Sequence, residues 1–223
     1  MVSCWVGHFT LAIGILCTAV AGQSAKSPMA EAQKIDSVHP GTIAHDIYKN
    51  VFFGFSLEVP QGWKVAGNTA LRALRQRNEK LLLQRPQLGR YSQNGEVDSP
   101  LLFMIEREPD KTGQGHRLLR IQCTDVSDRP GQPTAEDFLK FLAEASLRDD
   151  PSLDYSSTLE PVSLGGREFW RVHFTQKSNI LWYGEHLAAI DKKHVLQVIL
   201  TSPDEPGLVG LEAILRTLHF DAP

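Results

Sequence analysis

Cysteine is scarce in this chain. There are three, and two of them, Cys4 and Cys17, fall within the first 21 residues. Only Cys123 lies beyond, so no intrachain disulfide can form there and no disulfide-linked partner is expected; the fold must hold by packing. Metal-ligand spacing is missing too, with no H-E-x-x-H, no paired C-x-x-C and no calcium-loop pattern. No G-x-S-x-G elbow is present, and no glycine-rich loop opens a helix. Neither a metal nor a cofactor is therefore expected. A net charge of −3 lacks the basic excess that general nucleic-acid affinity requires. Met1–Ala21 contains no Lys, Arg, Asp or Glu at all.

That uncharged start includes the apolar run Phe9–Val20 and ends in Ala19-Val20-Ala21, an A-x-A cleavage pattern. It reads as a signal peptide over residues 1–21, and the mature chain as exported to the periplasm or beyond. The rival reading is a retained N-terminal membrane anchor. The apolar run is shorter than the roughly 20 residues a spanning helix needs. Residues 22–47 carry Pro28, Pro40 and Gly41 without a sustained period and read as a mobile tail. Residues 48–221 read as one domain, within the size range of a single core.

The organising stretch of that domain is Phe52–Trp63. Val51, Phe53, Phe55, Leu57 and Val59 alternate with Phe52, Gly54, Ser56 and Glu58, the period of a strand with one apolar face. Pro60 and Gly62 end it, and Trp63–Val65 is expected to return as the second arm of a hairpin. A helix is expected over Ala70–Arg85, then strands at Leu101–Arg107 and Leu118–Thr124. Thr134-Ala135-Glu136-Asp137 is a capping-box pattern opening a helix to about Leu147. Strands follow at 156–164, 168–176, 180–190 and 194–201, with a closing helix from near Pro206. The fold class is α+β: an antiparallel sheet of about six to eight strands covered by helices.

Three of these features together resemble a known fold family. They are the Phe53–Trp63 strand ending in P-x-G-W, the Gly165-Gly166 turn into a long hairpin, and Ile214-Leu215-x-x-Leu218-x-Phe220. They are similar to the PsbP-like family of extrinsic photosystem subunits and DcrB-type exported bacterial relatives. The resemblance implies a helix–sheet–helix sandwich, binding or assembly roles and no shared catalytic residues. The long basic segment Ala70–Arg90 departs from that pattern.

The richest constellation lies on the hairpin over 168–190. A three-residue loop at Lys177–Asn179 sets Gln176 opposite Ile180. One face then carries Phe174 opposite Trp182 and Trp170 opposite His186, and reads as core. The other carries Phe169 opposite Leu187, Arg171 opposite Glu185 and His173 opposite Tyr183. Arg171, His173, Tyr183 and Glu185 are thus the candidate ligand-binding residues, or else a half-buried face with one cross-strand ion pair. His173 and His186 fall on opposite faces, against a shared metal ion. Cys123 alternates with Leu119 and Ile121 and reads as a small core hydrophobe. Glu96 and Asp98 form an acid pair or a solvated loop.

Arg72, Arg75, Arg77 and Lys80, continued by Arg85 and Arg90, stand against Glu79 alone. They are either a surface for anionic lipid or an acidic partner, or a solvated helix face. Two classes of function remain at this stage. One is an exported non-catalytic module that contacts an envelope protein or a small apolar ligand. The other is a hydrolase-like enzyme working on the Arg171, His173 and Glu185 face.

Overall fold

The computed structural model describes residues 38–84, 98–107 and 115–221. Eleven strands and three helices occur among them. The signal peptide, most of the tail, Glu96, Arg85 and Arg90 lie outside the described residues.

Strands β1 (Thr42–Ala44), β2 (Ile47–Asn50), β3 (Phe55–Glu58) and β11 (His219–Phe220) form a four-stranded sheet in the order β1-β2-β3-β11. Strands β4 (Trp63–Val65), β5 (Ser99–Glu106), β6 (Leu118–Asp125), β7 (Leu153–Leu164), β8 (Arg167–Lys177), β9 (Leu181–Asp191) and β10 (His194–Ser202) form a seven-stranded sheet. Its order is β4-β5-β6-β10-β9-β8-β7, antiparallel at every pairing. The α+β class holds, and the larger sheet has the expected size.

The organising stretch is built differently from its alternation. Asn50 is fully buried and its Oδ1 accepts from the Phe53 N–H at 3.0 Å. This side-chain turn, with Gly54 at φ 64°, curls Val51–Gly54 before the strand starts. Val51 is left 60% exposed while Phe53, Phe55 and Leu57 are buried. The expected hairpin with Trp63–Val65 does not form. Pro60 has no N–H to continue a ladder, and beyond Gly62 the chain crosses to the other sheet, where β4 pairs with β5. β3 takes β2 and β11 as neighbours instead. The β1–β2 hairpin lies largely within residues read from the sequence as tail.

Tyr48 ties the two sheets together. Its hydroxyl donates to the Leu101 carbonyl at 3.1 Å and accepts from the Gly41 N–H at 3.0 Å. The main core lies between the sheets, with Phe53, Phe55, Leu57, Met104, Ile121, Phe169 and Leu200 in one cluster. Cys123 sits inside it, 1% exposed. Helix α3 (Glu205–Leu215) adds Leu211 and Leu215 to this side. Its N-cap Asp204 accepts from the Gly207 N–H at 2.5 Å, with Pro206 in the first turn.

The opposite face of the larger sheet carries helix α2 (Ala135–Asp149). Its Ala135, Phe138 and Leu139 pack with Val172, Ala188 and Val195. Thr134 caps it as the capping-box pattern predicts, its Oγ1 accepting from the Asp137 N–H at 3.1 Å. Helix α1 (Asn68–Gln84) contacts β5 and presents Arg72, Arg75, Arg77 and Lys80 to solvent.

Candidate functional site

The β8–β9 hairpin turns one residue later than its sequence suggests. The loop is Ser178–Ile180, closed by the Ser178 N–H and hydroxyl, both donating to the Ile180 carbonyl. Lys177 therefore pairs with Leu181, and every partner moves by two positions. His173 now faces Glu185, not Tyr183, and Arg171 faces Leu187, not Glu185. On the other face Phe174 faces Gly184 and Val172 faces His186. A Cβ at residue 184 would stand 2.2 Å from the Phe174 ring, so glycine there lets the aromatic lie over the sheet. A shift of two preserves which residues share a face. Arg171, His173, Tyr183 and Glu185 remain together, and His173 and His186 remain apart.

What changes is the network. Arg171 is the hub, and three carboxylates converge on it. Its Nε donates to Glu160 Oε1 at 2.8 Å, and its Nη2 bonds to the same oxygen. Its Nη1 reaches Glu185 Oε1 at 3.4 Å and Glu212 Oε1 at 3.5 Å. His173 Nδ1 lies 3.3 Å from Glu185 Oε1, and its Nε2 lies 3.7 Å from Glu160 Oε1. Four elements supply these groups: β7 gives Glu160, β8 gives Arg171 and His173, β9 gives Glu185, and α3 gives Glu212. Among the described residues no hydrogen bond or ion pair joins Tyr183 to the cluster; it faces Thr175 and Ser202 on the same side of the sheet.

Glu160 and Glu212 are members that sequence reasoning misses. Glu160 has a signal, because a two-residue turn at Gly165-Gly166 places it opposite Arg171. Glu212 has none, since only the packing of α3 brings it there.

The electrostatics follow from burial. The Glu185 side chain is 1% exposed. Burial raises its pKa to about 8, helped by a hydrogen bond to Glu212 and opposed by Arg171. Its Oε2 makes no hydrogen bond among the described residues. Glu160 behaves oppositely, and its hydrogen bond from Arg171 holds it below the ordinary carboxylate value. For Arg171, burial works downward, while the bond to Glu160 and the charges of Glu185, Glu160 and Glu212 raise it overall. Chemically, the cluster sets a carboxyl that favours its protonated form, Glu185, beside an imidazole and an arginine held by further carboxylates. No grouping of three or more metal-ligating side chains occurs among the described residues.

The basic residues of α1 do not converge. At 100° per residue, Arg72, Arg75, Arg77 and Lys80 spread over about 200° of the helix surface. Arg75 is engaged by Glu79 at 3.2 Å. Asp98 is half-buried and accepts from Gln122 at 2.8 Å, from Gln197 at 3.2 Å and from Thr124.

No protein-family model and no curated protein matches the sequence. Solved structures do. The chain is similar to the cyanobacterial PsbP (CyanoP) of Synechocystis sp. PCC 6803, at 10% identity and a TM-score of 0.47, over 78% of this chain and 91% of that one. It is also similar to LpqN of Mycobacterium tuberculosis, a protein involved in cell envelope biogenesis. That match has 14% identity and a TM-score of 0.45, over 75% of this chain and 83% of the other. The first bears the name of the fold family that Phe53–Trp63, Gly165-Gly166 and Ile214–Phe220 resemble.

Proposed function

We propose that the mature chain is an exported, non-catalytic binding or assembly module whose contacts are another envelope protein or a small apolar ligand. One observation carries this reading: the hub of the convergent polar cluster is engaged from within. Arg171 is occupied by three carboxylates of its own chain, and Glu185, the carboxyl among the described residues whose pKa is raised to about 8, is shut from solvent. A general acid must reach the atom it protonates. Support for export comes from the apolar leader and Ala19-Val20-Ala21. No helix among the described residues is long and apolar enough to cross a membrane.

Surface suited to contact lies elsewhere. A cleft of about 530 Å³ has Ile47, Val59, Pro60, Ala213 and Ile214 along its wall, with the Asp46 and Glu58 carboxylates beside them. Arg72, Arg75, Arg77 and Lys80, spread around α1 rather than gathered on one face, offer exposed cations to an acidic partner or anionic lipid.

The second reading, a hydrolase-like enzyme, draws on the 3.3 Å approach of His173 to the raised Glu185. A paired experiment separates them. The exported fraction is passed over immobilised mature chain, wild type and Ala213→Trp, and bound proteins and ligands are identified by mass spectrometry. Purified protein is assayed in parallel on ester, amide and glycoside substrates, with Glu185→Gln as control. Specific capture reduced by Ala213→Trp, with no hydrolysis, is the expected result. Turnover abolished by Glu185→Gln in a folded protein would overturn it.

A further inference from the structure

The cleft beside α3 carries a charge pattern that narrows what can fill it. Strand register brings its two acidic residues to one end of the smaller sheet. Glu58 pairs with Ile47, and one step further the Val59 N–H donates to the Asp46 carbonyl at 2.7 Å. Asp46 belongs to the turn between β1 and β2, and Glu58 is the last residue of β3. Both are exposed. Among the described residues neither carboxylate makes a hydrogen bond or an ion pair, and no Lys or Arg lines the cleft. Cations on neighbouring elements are turned elsewhere, Lys49 to Asp221 at 3.6 Å and Arg216 to Glu212 at 3.7 Å.

Helix α3 adds to the negative potential. Its last turn supplies Ala213 and Ile214 to the wall and carries no basic side chain. A helix end of this polarity has partial negative charge on its free carbonyls and favours a cation nearby.

Between these charges the wall is apolar. Ile47 is 45% exposed, and Val59 and Ile214 beside it are buried and half-buried. An apolar cleft with uncompensated carboxylates at its mouth is complementary to an apolar side chain with cationic neighbours. A bare metal ion would leave the apolar wall uncovered.

We propose that this cleft docks a segment of a partner protein, which inserts a leucine-sized side chain against Ile47 and Ile214 and sets Lys or Arg against Asp46 and Glu58. The proposal rests on the binding-module reading and deepens it by stating the chemistry of the partner. A protein segment fits better than a free amphiphilic amine, because small-molecule sites enclose most of their ligand and these carboxylates stand in the open. Exposed ion pairs hold weakly, so the charges select and steer the partner while the apolar insertion retains it.

The test is titration of the isotope-labelled mature chain with acetyl-Lys-Leu-Leu-Lys-amide, followed by amide chemical shifts at low and high salt. Shifts are expected at Asp46, Ile47, Glu58, Ala213 and Ile214. The glutamine counterpart, acetyl-Gln-Leu-Leu-Gln-amide, should bind about fivefold more weakly, and acetyl-Lys-Ser-Ser-Lys-amide should leave the spectrum unchanged. The double variant Asp46→Asn, Glu58→Gln should weaken the lysine peptide to the same degree and remove most of its salt dependence. Asparagine suits the φ of 58° at residue 46, so the turn is kept. Ala213→Trp, at an exposed position of the wall, should block both leucine peptides. Equal binding of the glutamine peptide, unchanged binding by the double variant, or shifts confined to another surface would each overturn the assignment. Decylammonium binding as tightly as the lysine peptide would overturn it too, in favour of a free amphiphile. Capture of exported proteins that Ala213→Trp reduces, with no preference for the lysine peptide, would refute this inference and leave the binding-module reading standing.

Discussion

Glu185→Gln should make the protein's stability much less sensitive to pH. The folded pKa of Glu185 is about 8 against an ordinary 4.5. Between those values the folded state holds a proton that the unfolded chain has released. Stability from this group is therefore fully present below about pH 4.5 and falls as pH rises toward 8. Each pH unit inside the window costs up to about 1.4 kcal/mol. From pH 4 to pH 7, linkage gives a loss of about 3 kcal/mol for wild type that the Glu185→Gln variant does not share. The amide resembles the neutral acid in shape and can still donate to Glu212. The assay is urea unfolding of both proteins at half-unit steps from pH 4 to pH 8. Other carboxylates, such as the depressed Glu160 and Asp125, titrate in both proteins and cancel in the difference. The gap should open in favour of Glu185→Gln as pH rises. Parallel curves would refute a protonated Glu185 at neutral pH.

Phe55→Ala should cost about 3–5 kcal/mol in urea unfolding, because Phe55 is fully buried between Tyr48 and Phe220; a loss under about 1 kcal/mol would mean that this strand is not central to the core. Arg171→Ala and Glu160→Ala should show a coupling of a few tenths to about 1 kcal/mol in a double-mutant cycle, modest because Glu160 is partly solvated. Additive losses there would count against the β7–β8 register. Lys193→Gly should raise stability by about 0.5–1 kcal/mol, measured by thermal melting, because Lys192 and Lys193 sit at φ 49° and 61° in a two-residue turn. N-terminal sequencing of exported protein should begin at Gly22; recovery of Met1 would support a membrane anchor.

Local chemistry settled much of this molecule in advance. The capping box at Thr134, the period of two along β5–β10 and the turn at Gly165-Gly166 each act within a few residues, so they are legible without a fold. The shared face of Arg171, His173 and Glu185 was legible for the same reason, since strand alternation survives any even shift in register. The register itself was not. It depended on Ser178 closing the loop and on Phe174 finding room over Gly184, which are contacts between residues rather than properties of either. The strand at Phe53–Trp63 misled in the same way, because its alternation fitted one hairpin while Asn50 and Pro60 divided it between two sheets. Burial of polar groups was the least legible of all. Gln122 and Thr124 alternate with Ile121 and Cys123 like a solvated edge, and Glu212 lies on a helix 27 residues after Glu185. Only tertiary packing decides whether such a group meets water or is enclosed, and that enclosure turns an ordinary glutamate into one that holds its proton at neutral pH.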